Sequence, residues 1–302
     1  MWIVCSDIQV VIVTYNSVHV ISDLLDSLPA ALGDLKSDVV VVDNGSTDGT
    51  AELVAARGGC RVVRSANVGY AGGINRGARE ALSAEAILIL NPDVRLQKAA
   101  VLPLLEALRE PNVGIAAPQV RSPQGALELS LRREPSLLRA LGLNRTGLAA
   151  LSEYVTNHAE YDYPRTVDWA LGAVLLVSRK CYESLGGWDE SFFLYSEETD
   201  FCLRARDLGF GTRYEPRSVV IHIGGGSGRN RMTHAMQIVN RVRLYRRRHG
   251  ALASWCYYWL TVTSEFSWVI RGHRESLSSI AALLWPARRP RQLGCSNRIM
   301  PL

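Results

Sequence analysis

The chain has 302 residues, 47% hydrophobic and 21% charged, which excludes a disordered or fibrous protein and leaves room for a sizeable core. Its six cysteines, Cys5, Cys60, Cys181, Cys202, Cys256 and Cys295, form no C-x-x-C pair, so neither a zinc site nor a disulfide framework is signalled, and scattered thiols fit a reducing compartment. The net charge of +5 is unevenly spread: residues 233–302 carry eleven Arg, no Lys and two Glu, whereas residues 1–232 are mildly acidic.

The N-terminus has no basic segment and Asp7 interrupts its short apolar stretch, so the expectation is a cytoplasmic protein without a secretory signal peptide. Residues 10–13 read as a first strand with its exit loop at Thr14-Tyr15-Asn16. Residues 20–32 have helical periodicity, with Ile21, Leu24, Leu25 and Leu28 on one face. A valine run, residues 39–42, then ends at Asp43. Ser46 or Thr47 is placed to cap a helix over 50–56. Residues 60–63 form a short strand, 73–82 a helix and 87–90 a strand that runs into Asn91-Pro92-Asp93. This alternation predicts a parallel sheet with helices on both faces. Beyond Asp93 the pattern predicts a helix at 102–108, a strand at 113–117 ending at Pro118, and irregular, substrate-shaped loops over 121–166. A strand at 169–178 broken at Gly172, helices at 182–187 and 199–208, and a strand at 219–222 follow.

Two acids, Asp43 and Asp93, therefore stand at the carboxyl ends of two strands, where open α/β sheets bind ligands. Between them Asn67-Val68-Gly69-Tyr70-Ala71-Gly72-Gly73-Ile74-Asn75 is glycine-rich enough for backbone to approach a ligand closely. Each piece alone also reads as a strand, a turn and a helix cap; the ordered set points to a site.

Five blocks in order carry a resemblance to a known family. They are Val11-Ile12-Val13-Thr14-Tyr15-Asn16, Val42-Asp43-Asn44-Gly45-Ser46-Thr47-Asp48-Gly49-Thr50, the glycine-rich stretch above, Leu90-Asn91-Pro92-Asp93, and Gly187-Trp188-Asp189-Glu190-Ser191-Phe192-Phe193-Leu194-Tyr195-Ser196-Glu197-Glu198-Thr199-Asp200. Over residues 8–232 the chain resembles the inverting glycosyltransferases of family two, and most of all their rhamnosyltransferase-like branch. The resemblance implies the nucleotide-sugar-binding GT-A fold. It also implies transfer of a sugar, rhamnose in this branch, from a nucleotide-diphosphate donor. The acceptor would be a polyprenyl-diphosphate-linked molecule or a glycan in cell-surface polysaccharide synthesis.

The resemblance also assigns residues. Asp93 is the expected ligand of a divalent cation, Mg2+ or Mn2+, because hard cations prefer oxygen. Where the family often has Asp-x-Asp, Asn91 takes the first position here. His222 is either a metal or diphosphate ligand or a satisfied histidine at a strand end, and residues 224–228 could form an anion nest. Asp43 would contact the donor base or ribose, with Thr14, Asn16, Asn44, Asn67, Gly69, Gly72, Asn75 and Asn91 lining the same pocket. Glu198 holds the usual position of the general base, Glu197 competes for that role, and Asp200 is either a third catalytic acid or a charge that favours the helix N-terminus. Arg204 binds phosphate or pairs with an acid such as Asp200.

Residues 251–270 have one charge, Glu265, and place Leu252, Trp255, Trp259, Val262, Phe266 and Val269 on one helical face. That stripe, with arginines before and after it, predicts a helix lying on an anionic membrane surface, here the inner face of the cell membrane, against the alternative of packing on protein. Residues 233–302 are thus a basic helical appendage. No nucleic-acid partner is expected, and oligomerisation stays open. Two other readings compete: a non-catalytic sugar-nucleotide binder, and a dinucleotide-dependent oxidoreductase. Against the oxidoreductase, no G-x-G-x-x-G follows the first strand.

Overall fold

The computed structural model describes residues 7–80, 83–143, 146, 148–224, 230–293 and 299. A nine-stranded sheet forms the centre, in the order β3-β2-β1-β4-β10-β6-β11-β5 with β8 also paired to β11. The strands are β1 (Ile8–Thr14), β2 (Ser37–Asp43), β3 (Arg61–Arg64), β4 (Ala86–Leu90), β5 (Val94–Leu96), β6 (Val113–Arg121), β8 (Arg165–Val167), β10 (Val174–Ser178) and β11 (Gly211–His222). A two-stranded ribbon, β7 (Leu131–Arg132) with β9 (Trp169–Ala170), lies beside it. β1, β2, β3, β4, β6 and β11 share one direction, while β10, β5 and β8 run against it. The expected parallel order therefore holds for the first half. The antiparallel β10, inserted between β4 and β6, is the departure.

Every residue of β1 is buried, as an apolar strand covered on both faces requires. Helices α1 (Ile21–Leu32), α2 (Thr50–Arg57), α3 (Gly69–Ala78), α4 (Val101–Leu108), α5 (Arg179–Ser184) and α6 (Glu197–Asp207) flank the sheet. The periodicity of α1 buries Ile21, Leu24, Leu25 and Leu28 as read. Strand β6 runs on through Pro118 to Arg121 instead of ending there. No side chain caps α2; Thr50 N donates instead to Asp48 Oδ1 at 3.1 Å.

The glycine-rich segment forms the first turns of α3, which begins at Gly69 rather than at residue 73. A Cβ on Gly73 would lie 2.6 Å from Val13 Cγ1, and one on Gly77 2.5 Å from Val11 Cγ1. These glycines let the helix rest directly on β1.

β1 sits between β2 and β4, so chain order reverses there and a crevice opens at the carboxyl ends. Register then fixes the site. Thr14 pairs with Asp43, β10 pairs Val174 with Leu90, and β11 pairs His222 with Val94, next to Asp93.

The C-terminal region folds as α7 (Arg231–Arg248), α8 (Ala251–Ile270) and α9 (Ser276–Leu284). Asn230 opens α7 with a capping box to Thr233. Tyr245 and Tyr257 stack at 3.9 Å, and His234 meets Glu265 at 2.9 Å inside the unit. The charge of α7 is directed at the sheet-bearing body. Arg241 pairs with Glu153, Arg247 with Asp189, and Arg248 with Glu134 and Asp207. The arginines that were expected to face an anionic surface ahead of the stripe are thus, for Arg247 and Arg248, joints between the two parts of the molecule.

Candidate active site

Asp43 ends β2 and is buried. Its carboxylate accepts from Thr14 Oγ1 at 3.1 Å, Ser46 N at 3.0 Å and Ser46 Oγ, which closes the turn that follows the strand. Asn16, at a φ of +50°, accepts from Thr47 N at 2.8 Å and ties the β1 exit to the same turn. Asn44 donates to Gly69 O at 2.9 Å, and its buried Oδ1 has no protein partner. Asn67 accepts from Gly69 N at 3.1 Å where α3 begins. These residues form one hydrogen-bonded wall at the carboxyl edge of β1 and β2, with Asn16 and Asn67 exposed.

Asp93 is 6% exposed, and its Oδ1 is buried without a hydrogen-bond partner. A buried, unpartnered carboxylate oxygen is costly and calls for an explanation. His222 Nε2 stands 3.6 Å from the other oxygen, and His222 Nδ1 lies 3.4 Å from Glu128. Asp93 and His222 are one carboxylate and one imidazole facing the crevice mouth. Among the described residues no group of three or more His, Cys, Asp and Glu has metal-holding geometry. Any cation held here takes its remaining ligands from elsewhere. Asn91 donates its backbone N–H to Ala173 O at 2.9 Å and so locks the Asp93 turn to β10. Of the anion nest expected at 224–228, only Gly224 lies within the described residues, at a φ of +73°.

Glu197 and Glu198 open α6. Tyr195 and Ser196, just before them, are both left-handed, at φ of +69° and +70°. Non-glycine residues rarely adopt that conformation, and such strain concentrates at functional sites. Glu197 is 4% exposed, and each glutamate has a buried Oε2 without a partner. Burial, and then the neighbouring Glu198 charge, pushes Glu197 well above the usual carboxylate range. Burial also raises Glu198, but the Arg132 guanidinium works against it. Glu198 packs on Gly172, where a Cβ would come within 3.0 Å of Glu198 Cβ.

Tyr70, on the first turn of α3, joins the two acid groups. Its hydroxyl donates to Gly172 O at 3.1 Å. Burial, followed by the charges of Glu197, Glu198 and Asp93, drives its phenol far up. Gly172 thus touches both Tyr70 and Glu198, and its neighbour Ala173 accepts from Asn91 N, two residues before Asp93, so the strand-end acid and the helix acids border one crevice.

Several expected site residues are committed to the protein. Asn75 is buried with four contacts: its Nδ2 donates to Trp188 O at 2.8 Å and Glu190 Oε1 at 2.9 Å, and its Oδ1 accepts from Trp188 N at 2.9 Å and Tyr182 OH at 3.0 Å. An amide has no further capacity, so Asn75 holds the 187–190 loop rather than a ligand. A Cβ on Gly69 would meet Phe193 O at 2.3 Å, and one on Gly72 would meet Val68 Cγ2 at 2.8 Å; both make room for protein. Arg204 donates to Asp200 at 2.6 Å and to Leu185 O and Gly187 O at 3.1 Å, so these two residues anchor the preceding turn. Conversely, Glu128, Arg132 and Tyr70 were not singled out by sequence. Glu128 and Arg132 come from the irregular stretch, where no period marks them, and Tyr70 stood inside a quoted block among more conspicuous glycines.

The family model described as glycosyl transferase family 2 matches residues 9–159, the stretch that supplies the Asp43 and Asp93 walls. The chain is 32% identical over 246 residues to the N-acetylglucosaminyl-diphospho-decaprenol L-rhamnosyltransferase of Mycobacterium tuberculosis (strain H37Rv), covering 75% of this chain and 80% of that one. The chain belongs to glycosyl transferase family 2. As a family member it is a glycosyltransferase. It is also 31% identical to the low-salt glycan biosynthesis hexosyltransferase Agl10 of Haloferax volcanii, over 66% of this chain and 62% of that one. To the rhamnosyltransferase WbbL of Escherichia coli (strain K12) it is 26% identical, over 50% and 57%. Among solved structures, the fold matches GalNAc-T7 with UDP, GalNAc and Mn2+ at a TM-score of 0.59 and 16% identity, covering 80% of this chain and 48% of that one. It matches the mannosyltransferase PcManGT of Pyrobaculum calidifontis with GDP-Man and Mn2+ at 0.58 and 18% identity, covering 92% and 74%. The GT-A architecture expected from the five blocks is the one found.

Proposed function

We propose that this glycosyltransferase moves a sugar, L-rhamnose in our reading, from a nucleoside-diphosphate donor to a polyprenyl-diphosphate-linked acceptor, with inversion and with a divalent cation. The observation that carries the site assignment is the Gly172-Ala173 step, which touches Glu198, accepts from the Tyr70 hydroxyl and accepts from Asn91 N two residues before Asp93. The rhamnose and the lipid-linked acceptor are supported by the names of the mycobacterial and Escherichia coli relatives and place the reaction in cell-surface polysaccharide synthesis.

In this reading Asp43 and its turn bind the nucleoside. A buried carboxylate that organises backbone N–H groups presents a rigid polar wall to base and ribose. The residues of the Asp93 corner fit a magnesium or manganese ion: a carboxylate oxygen without a protein partner and a histidine 3.6 Å from its twin. Such ions complete their shell with substrate phosphate oxygens. When bound, the ion neutralises charge on the departing diphosphate. Glu198 takes the proton from the acceptor hydroxyl. Glu197, raised further by burial and by its neighbour, keeps its proton, so that the pair holds one charge. Residues 8–232 form the transferase domain in this reading, and residues 233–302 an attached helical unit.

The test is transfer from a panel of nucleoside-diphosphate sugars, an activated L-rhamnose among them, to an N-acetylglucosaminyl-diphospho-polyprenol, with manganese, magnesium or chelator. Rhamnosyl transfer that stops with chelator is expected. Transfer of another sugar overturns the rhamnose reading, and full activity in chelator overturns the metal reading.

A further inference from the structure

We infer that the outer faces of α8 and α9 form a docking surface for an anionic lipid bilayer, on which both helices lie flat. Helix α8 buries Ser254, Thr261 and Glu265 along with Tyr257 and Tyr258 against its neighbours, and turns Leu252, Trp255, Trp259 and Phe266 to the outside. Leu252 is 81% exposed and Trp259 54%. Leu277 of α9 and Trp285 at its end are exposed as well. An exposed apolar stripe of this kind marks an interaction surface, and its tryptophans suit headgroup depth.

The rim decides what covers it. Arg271, Arg274, Arg288 and Arg291 are exposed, and among the described residues none pairs with a carboxylate. This contrasts with α7, whose Arg241, Arg247 and Arg248 are each ion-paired to the transferase body. A second copy docking through the same face by a two-fold would bring two arginine-rich rims together, which like-charge repulsion disfavours. An anionic bilayer instead neutralises them while burying the apolar face. Crossing the bilayer is a different matter. Insertion would pull Glu265 from His234, its partner at 2.9 Å, and no helix among the described residues is long and apolar enough to span. The inference rests on these helices and not on the choice of sugar or acceptor.

The experiment is flotation of the full chain with phosphatidylglycerol–phosphatidylcholine vesicles and with phosphatidylcholine vesicles alone. Two variants are compared: Trp255→Ser with Trp259→Ser, and Arg271→Gln with Arg274→Gln, Arg288→Gln and Arg291→Gln. The parent is expected to float with anionic vesicles. Each arginine contributes roughly fivefold to that partitioning, and each tryptophan about tenfold. The arginine variant should lose its preference for anionic vesicles, and the tryptophan variant its salt-resistant attachment. Hydrolysis of the donor without vesicles should be unchanged in both, which separates this surface from the transfer chemistry. Three results overturn the inference: a parent that does not float, flotation indifferent to both variants, or a lipid-free dimer that the tryptophan changes split. If the tryptophan variant melts early, the exposed arginine variant still decides.

Discussion

Asn240 of α7 donates its side-chain amide to the carbonyl oxygen of Tyr195 at 3.0 Å, and the same nitrogen reaches Leu194 O at 2.9 Å. Tyr195 and Ser196 are the left-handed pair that delivers Glu197 and Glu198 to the crevice. Each such residue costs of the order of 1–3 kcal/mol and persists only when its surroundings hold it. The helical unit is thus more than an attachment, because it braces the corner from which Glu197 and Glu198 project.

Asn240→Ala should therefore weaken both stability and catalysis. Two half-buried carbonyls lose a donor, worth about 1–3 kcal/mol in urea denaturation. A displaced Glu198 should reduce kcat by about tenfold or more while the donor KM holds. Stability loss with unchanged kcat would make Asn240 purely structural.

Asp93→Asn should separate function from stability. Asp93 Oδ1 has no protein partner and His222 Nε2 stands 3.6 Å from its twin, beyond hydrogen-bond distance, so removing the charge costs the fold little. The melting temperature is expected to stay or rise while metal-dependent transfer disappears. A variant that keeps parental transfer at saturating manganese removes Asp93 from the metal site.

The strand-end acids were legible because one apolar run stops at Asp43 and another runs through Asn91-Pro92 into Asp93, and burial on both faces makes such runs conspicuous. The bounds of α8 were legible for a similar reason, its apolar stripe repeating at helical spacing, although Val262 of that stripe packs on the helical core. What stayed hidden depended on partners distant in sequence. Asn75 looks like a pocket residue until Tyr182, Trp188 and Glu190, more than a hundred residues away, fill its hydrogen-bonding positions. The glycines of α3 suggested a ligand, and only the contact of α3 with β1 and Phe193 shows that they yield space to protein. Local pattern marks where backbone is unusual, but it does not say against what.

Gly69→Ala tests that last point. Gly69 has a φ of +79°, and an added Cβ would sit 2.3 Å from Phe193 O. Neither backbone can yield without moving the loop that leads to Glu197. The variant should lose roughly 2–4 kcal/mol of stability, by the combined strain and clash. A loss of donor affinity with no change in denaturation midpoint would return Gly69 to the ligand pocket.

The paired glutamates set the pH behaviour. Burial raises Glu198, so the acid limb of kcat/KM should lie above the usual glutamate range, with activity rising as Glu198 ionises. Glu198→Gln should reduce transfer about 10²–10⁴-fold, with Glu197→Gln milder. Arg132 favours the charged form of Glu198, so Arg132→Gln should move the acid limb to higher pH without changing the metal requirement. Stability follows the opposite sense. The folded value of Glu197 lies above its unfolded one, so the folded chain holds that proton longer. Its contribution is fully present below the unfolded value and is lost as pH rises through the folded one. Glu197→Gln should accordingly raise the melting temperature at alkaline pH and make no difference in acid, measured by thermal denaturation across pH. If Glu197→Gln cripples transfer while Glu198→Gln is mild, the base is Glu197 and the proton shared by the pair resides on Glu198.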